Sequence, residues 1–341
     1  MRVLTIGNRD PRSGAGGYER IWAAVLDGLA AGGHASCVLA PPELRWYWLD
    51  GEWLRPGRRE QRDIEDHSAR ALDSALEWRP DVVCFWGMGG LPLSLIGRVG
   101  DAGVPAVGVV GDGWMVYGPD VDHSSRRPSL AHVHWLFIAE AVRSRALTLH
   151  QLPRTSLVHP GVDPARFPPA APREWGWQLS CIGRIAPEKG IEVAVAALDS
   201  LTEATLTLDG PGEPPAHPRV RHVHTPSERI HEAYAAADAI LFPVTWPEPW
   251  GLVPLEAMAS GRPVVASGTG GSAEYLRDGE NCLLAPSGDA GALAGAVRRL
   301  ASDVTLRNLL RAGGFDTAAR FTEASFVRDV VAALAEAAAG R

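Results

Sequence analysis

Residues 243–261 hold the densest chemistry in the chain: Pro247-Glu248-Pro249, then Trp250, then Gly251-Leu252-Val253-Pro254-Leu255-Glu256. Two prolines hold Glu248 in a stiff, non-helical loop, and 251–259 reads as a helix that Gly261 can cap. One carboxylate thus stands at a loop mouth and the other in the first turns of a helix. The N–H groups of Gly251, Leu252 and Val253 are the donors that a helix N-terminus leaves unsatisfied, and they favour an anion. Glu256 has the acceptor capacity to take two hydrogen bonds from a vicinal diol such as a ribose.

A second run, Gly183-Arg184-Ile185-Ala186-Pro187-Glu188-Lys189-Gly190, sets two cations in a loop between a strand and a helix. Arg184 can fork onto phosphate oxygens and Lys189 adds a mobile point charge, so the pair suits a diphosphate. The same residues also read as a solvated strand end with Lys189 paired to Glu188, the common fate of surface charge. A third run, Gly14-Ala15-Gly16-Gly17-Tyr18-Glu19, follows a strand and opens a helix. Gly16 and Gly17 permit close backbone approach to a ligand, but the spacing is not that of a dinucleotide fingerprint, and a glycine turn is as often only a turn.

Positioning these groups requires short apolar strands alternating with amphipathic helices, the pattern of βα units around a parallel sheet. One series of strands is predicted at 3–6, 36–39, 81–86, 106–110 and 136–139, with helices at 18–31 and 63–78. A second series lies at 179–183, 204–208, 220–224, 239–242, 263–266 and 282–284. Between them residues 160–172 carry five prolines, which forbid continuous helix or central strand. The stretch 318–341 is Ala-rich with helical spacing and reads as a terminal helix. The predicted fold class is α/β: two Rossmann-like doubly wound domains facing a central cleft. The domains are 1–160 and 177–322; a linker occupies 161–176, and a C-terminal helix, 323–341, returns to the first domain. Ligands of such folds bind at the carboxyl ends of the strands.

Composition excludes several classes. A chain of 341 residues with 46 % apolar and 21 % charged side chains is globular and long enough for two domains. Its net charge of −7 gives no global positive field for a nucleic acid. The four cysteines, Cys37, Cys84, Cys181 and Cys282, lack metal-ligand spacing and read as buried small hydrophobes of a reducing compartment. The N-terminal residues run straight into a strand without the pattern of a signal peptide, and no apolar run is long enough to span a bilayer, so a cytoplasmic protein is expected.

Taken together, Arg184 with Lys189, the pair Glu248 and Glu256 with seven residues between them, Gly270-Gly271-Ser272-Ala273-Glu274 and Asp278-Gly279-Glu280-Asn281 resemble the retaining GT-B glycosyltransferases of family 4. His159-Pro160-Gly161-Val162-Asp163 and Tyr234-Ala235-Ala236-Ala237-Asp238 extend the resemblance across nearly the whole second half. It implies a nucleotide-sugar donor (UDP, GDP or dTDP), a hydroxylated small-molecule or glycan acceptor, and no metal or other cofactor. Arg184 and Lys189 then hold the diphosphate, Glu256 the ribose and Glu248 the transferred sugar. Gly251, Leu252 and Val253 give amides to phosphate or sugar, and Gly16 and Gly17 approach the donor from the other domain. Where many relatives have a His-Asp pair this chain has Gly111-Asp112-Gly113-Trp114; either Asp112 takes over contact with the donor sugar or the missing imidazole signals another sugar. Cys282 replaces the usual glycine after Asn281, a change of packing.

Acceptor contacts are expected from aromatic residues in loops of the first domain, Trp46, Trp48 and Trp114, with Trp53 and Tyr117 nearby, although core packing is a near rival for each. Of the 12 tryptophans, Trp246 and Trp250 are expected to flank Glu248. The Ala-, Arg- and Pro-rich composition is similar to that of antibiotic-pathway members of the family, such as an orthosomycin (avilamycin-type) transferase. Two rivals belong to other classes. Asp120-Val121-Asp122 has the spacing with which metal-dependent GT-A transferases hold a diphosphate, a degenerate motif that the two-domain pattern disfavours. A non-catalytic nucleotide-sugar-binding protein would keep Arg184 and Lys189 but would not need Glu248. His123, His132 and His134 read as packed or solvated rather than as a metal cluster.

Overall fold

The computed structural model describes the chain except residues 14–15, 41–46, 50–51, 55–56, 122–127 and 341. It divides into two compact units, Met1–His159 with Ser325–Arg341, and Pro160–Ala324.

In the first unit β1 (Arg2–Ile6) leads into α1 (Gly17–Ala31) and β2 (Ala35–Leu39). A small hairpin follows, β3 (Tyr47–Leu49) and β4 (Glu52–Leu54), then α2 (Arg58–Leu76), β5 (Val82–Phe85), α3 (Ser94–Asp101) and β6 (Ala106–Val110). The unit continues through α4 (Trp114–Val121), β7 (Val133–Phe137), α5 (Glu140–Leu147) and β8 (Thr155–Leu157). The sheet order is β2-β1-β5-β6-β7-β8, every pairing parallel. β5 and β6 are buried along their whole length, as their unbroken apolar runs require of central parallel strands. One face of α1 buries Ile21, Trp22, Val25, Leu26 and Leu29. Trp22 stacks on Trp86 with centroids 5.5 Å apart, so bulky aromatics lock helix to sheet.

The second unit runs β9 (Gln178–Ile182), α6 (Ile191–Ala197), β10 (Thr205–Asp209), β11 (Val220–Val223), α7 (Ile230–Ala236) and β12 (Ala239–Phe242). Then come α8 (Leu252–Ala259), β13 (Val264–Ala266), β14 (Leu283–Leu284), α9 (Ala290–Ser302) and α10 (Val304–Arg320). The order is β11-β10-β9-β12-β13-β14, again parallel throughout. Strand alternation sends Leu179, Cys181, Leu206 and Leu208 to one face, where they pack in the core with Ala194, Ala197, Leu293, Val297 and Leu300. Residues 160–176 pack as part of this unit: Ala170 N–H donates to Ser260 O at 3.1 Å, and Arg262 and Arg311 donate to Ala171 O and Ala170 O. The last helix, α11 (Glu323–Ala339), falls in the first unit from Ser325 onward, with Phe326, Val330 and Leu334 buried.

Several elements differ from the sequence reading. The strand expected at 136–139 is Val133–Phe137, because His134, polar but half-buried, meets Ser156 Oγ at 2.9 Å beside the short polar strand β8, which periodicity misses. The aromatic loop around Tyr47 and Trp53 is the hairpin β3–β4, with Trp48 opposite Trp53. The terminal helix of 318–341 is two helices, broken at Phe321 and Thr322, where the chain forms a bridge to Val162.

Candidate active site

In the second unit the strand order reverses between β9 and β12, since the chain goes from β9 outward to β10 on one side and returns to β12 on the other. The crevice at such a switch point is where doubly wound sheets bind ligands. Lys189 lies in the loop after β9, and Glu248 in the loop after β12.

After β9 the chain makes a single 3-10 turn, Pro187–Lys189, with proline at its start and Gly190 in the left-handed region at its end (φ 68°). A side chain at Gly190 is doubly forbidden: its Cβ would lie 1.8 Å from Pro243 O. The loop after β12 is laced to this turn, with Thr245 N–H donating to Glu188 O at 3.0 Å and its hydroxyl to Pro187 O at 3.2 Å. From the other side Gly271 N–H donates to Glu248 O at 2.7 Å, and Thr269 Oγ1 donates to Trp246 O at 2.6 Å. These backbone ties bring together side chains 59 positions apart: Lys189 Nζ is 2.7 Å from Glu248 Oε2. Trp246 Nε1 donates to the same oxygen at 3.0 Å, and the Lys189 ammonium stands 5.7 Å from the Trp246 ring centroid. Glu248 is thus a largely buried carboxylate, 8 % exposed, with a paired charge. Oε1 has no hydrogen-bond partner among the described residues.

Arg184 shares the loop but not the cluster. Its guanidinium is more than half exposed and pairs with Glu188 at 2.7 Å, so the partner that the solvated reading gave Lys189 belongs instead to Arg184. Gly251, with φ 86°, precedes α8, and its carbonyl accepts from the Tyr275 hydroxyl. Glu256, 3 % exposed, sits one turn into α8 and accepts from Tyr234 Oη on α7. Trp250 is not a site residue: it is buried, packs among Tyr275 and Phe321, and donates from Nε1 to Pro160 O at 2.9 Å. An open groove of about 420 Å³ in this unit, lined by residues such as Ser180, Asp209 and Arg221, shares no residue with the Lys189–Glu248 cluster.

In the first unit Gly16 precedes α1 in extended conformation and Gly17 is its first residue. Both precede Tyr18, which meets the end of β6 and the loop after it. Tyr18 Oη donates to Val109 O at 2.7 Å, and a Cβ at Gly111 would lie 1.9 Å from the Tyr18 ring, which explains the glycine there. Asp112 Oδ1 accepts from Trp114 N at 3.0 Å and Oδ2 from the Tyr117 hydroxyl at 3.1 Å. Burial pushes the Asp112 carboxyl above its usual range, and the nearby Glu19 charge adds to the shift. An acid held off its ordinary value at a strand end is a mark of functional sites.

The acceptor expectation fares differently residue by residue. Trp114 is a core side chain, 1 % exposed, with its ring against Trp135 at 5.7 Å, so it presents no face to a ligand. Trp46 lies outside the described residues, and of Trp48 only the backbone, in β3, is described. Asp122 and His123 also lie outside them. Among the described residues no group of three or more His, Cys, Asp or Glu could hold a metal ion, and no helix is long and apolar enough to cross a membrane. The cysteines are free thiols; burial raises Cys181 and Cys282 to about 12, which leaves them unreactive near neutrality. Tyr234, which contacts Glu256, carries no site role from spacing alone, whereas Trp246 stands beside Glu248.

Comparison with known proteins converges on this half of the chain. Residues 177–303 match the family described as glycosyl transferases group 1. The glycogen synthase of Mycobacterium tuberculosis is 34 % identical over 170 residues, 45 % of this chain and 41 % of that one. A D-inositol 3-phosphate glycosyltransferase of Stackebrandtia nassauensis is 31 % identical over 218 residues, 54 % of this chain and 49 % of its own length. The matches thus span two fifths to one half of these relatives. Among solved structures, sucrose-phosphate synthase from Thermosynechococcus elongatus superposes with a TM-score of 0.80 at 19 % identity, covering 100 % of both chains. Anabaena HepE in complex with UDP and glucose gives 0.73 at 16 %, covering 98 % of this chain and 99 % of its own. AviGT4, a glycosyltransferase involved in avilamycin A biosynthesis, gives 0.60 at 21 %, covering 99 % and 98 %. These structural likenesses show the fold, two Rossmann-like α/β domains of the GT-B type.

Proposed function

Because residues 177–303 match the family described as glycosyl transferases group 1, we propose that this chain is a retaining glycosyltransferase that moves a sugar from a UDP-sugar to an acceptor hydroxyl. The observation that carries the proposal is the Lys189–Glu248 contact at the β9/β12 switch point, beside the N-terminus of α8. An ammonium has three donors; one goes to Glu248, and the others are available to the donor's diphosphate. Arg184 adds a guanidinium on the same loop. The amides of Gly251, Leu252 and Val253 face the anion with the positive end of the helix dipole, and Glu256 accepts from the ribose hydroxyls.

The bond from the anomeric carbon to the diphosphate oxygen breaks, and its electron pair leaves on the phosphate. Cations and amides fixed before the reaction stabilise that developing charge. The acceptor oxygen bonds to the anomeric carbon on the same face, and its proton passes to the departing phosphate. Glu248 orients the sugar through its hydroxyls, bonds that strengthen as the ring becomes oxocarbenium-like. Asp112 contacts the donor sugar, Gly16 and Gly17 approach the donor, and Trp46 and Trp48 contact the acceptor. The reaction is metal-independent, cytoplasmic, and serves glycan or antibiotic biosynthesis, the last supported by the likeness to AviGT4.

The test is release of UDP from UDP-sugars in the presence of hydroxylated acceptors, with and without EDTA. Glu248→Gln is expected to lower kcat by roughly a hundredfold, in the range seen when one preorganised transition-state contact is removed, and to leave UDP binding in place. Normal turnover by that variant, or loss of activity in EDTA restored by manganese, would overturn the reading.

A further inference from the structure

We propose that Tyr234 is a positioning residue that holds the Glu256 carboxylate in the orientation needed to bind the donor's ribose, so that recognition of the nucleoside depends on a residue that does not touch it. The inference rests on the reading of Glu256 given above and adds the device that fixes it. Tyr234 is fully buried in the last turn of α7, and its hydroxyl donates to Glu256 Oε2 across to α8. A hydrogen bond to an ionised acceptor is among the strongest that side chains form, and it restricts the rotation of the carboxylate.

The tyrosine itself has little freedom. The Phe167 ring meets it edge-on, centroids 5.6 Å apart at 84°. The end of α7 is pinned by Arg262, whose Nη2 donates to Ala235 O at 2.7 Å and Nε to Tyr234 O at 3.3 Å. Arg262 lies three residues past the end of α8, and its N–H donates to Ala257 O at 2.8 Å. One buried guanidinium therefore sets the end of α7 against the end of α8, and with it the distance between hydroxyl and carboxylate. A tyrosine that only filled space would need its ring alone, and phenylalanine would serve equally well.

The experiment compares UDP with 2′,3′-dideoxy-UDP, which lacks both ribose hydroxyls, by calorimetric titration of wild type, Tyr234→Phe and Glu256→Gln. Wild type is expected to prefer UDP by about tenfold or more, the value of a hydrogen bond to a charged group. Glu256→Gln should lose most of that preference. Tyr234→Phe should lose several-fold of UDP affinity and little dideoxy-UDP affinity, with KM for the UDP-sugar raised and kcat at saturation nearly kept. General loosening of the fold would weaken both ligands alike, so the ratio reads position even if the variant is less stable. Tyr234→Phe with the full wild-type preference, beside a Glu256→Gln that has lost it, overturns the inference alone. A Glu256→Gln variant that keeps the preference overturns the ribose reading of Glu256, and the inference with it.

Discussion

At the residue scale, the proposed site depends on burying charge that is only partly compensated. Glu248 has its charge matched by Lys189 and a further hydrogen bond from Trp246, whereas the Asp112 carboxyl has two neutral donors and a nearby like charge. Burial raises the Asp112 pKa above its unfolded value. Its contribution to stability is therefore full below the unfolded carboxylate range and is lost as pH rises through the raised value. Asp112→Asn, uncharged throughout, is expected to melt at a higher temperature than wild type near pH 7 and to lose that advantage on acidification to about pH 3, below the reference carboxylate pKa. Thermal melts across pH check this, and an equal gain at both ends would contradict it. The same variant is expected to turn over more slowly, the usual trade between stability and a strained site. Spacing singled out Lys189, Glu248 and Glu256 as polar groups on loops and a helix start. It offered Lys189 a diphosphate or its neighbour Glu188 and not Glu248, because a contact across 59 residues has no local signature.

At the scale of elements, what aligns these residues is a backbone conformation. Gly190 ends the 3-10 turn with positive φ directly against the carbonyl of Pro243, whereas Gly16 is extended and a Cβ there would meet only the end of the Glu19 side chain, at 2.8 Å. Gly190→Ala is thus expected to cost about 2 kcal/mol or more in stability, from backbone strain and displacement of the loop. It should lower kcat/KM by moving Lys189 off Glu248. Gly16→Ala is expected to cost less than about 1 kcal/mol. Denaturant melts of the two variants give the comparison, and equal losses would mean that the geometry at Gly190 is not what holds the turn. The two sequences look alike as glycines before a helix; only φ and the facing atoms separate them. The strands of both sheets were legible for the opposite reason, since a central parallel strand is an apolar run by composition alone. β8 escaped because an edge strand of Thr, Ser and Leu carries no such run.

At the scale of the whole molecule, the two units respond to different perturbations. α11 buries Phe326, Val330 and Leu334 in the first unit, and Gly28 lies against Val327, where a Cβ would come 2.3 Å from the valine methyl. Leu334→Ala is expected to cost about 2–5 kcal/mol, the range for a buried leucine truncated to alanine. Hydrogen exchange should rise in α1 and α11 and stay unchanged in β9–β14. UDP should act conversely, adding about 2.7 kcal/mol at a concentration one hundred times its Kd and slowing exchange around α8. Exchange that slows only in the first unit would place the nucleotide elsewhere.

The sequence by itself determined the alternation of strands and helices, the absence of a global basic field, and the residue types available for binding a phosphate, a diol and a sugar. These follow from composition and from periods of two and 3.6 residues, which are local. The tertiary structure decided which polar groups meet. It gave Lys189 to Glu248 and Arg184 to Glu188, and placed Tyr234 on Glu256. It also turned most of the expected binding tryptophans that are described into packing: Trp114 and Trp250 fill cores, while Trp246 alone of these remains more than one third exposed, beside Glu248. Partner choice between distant charges and the burial of an aromatic ring are set by where strand ends converge, and that is a property of the sheet's order rather than of any segment within it.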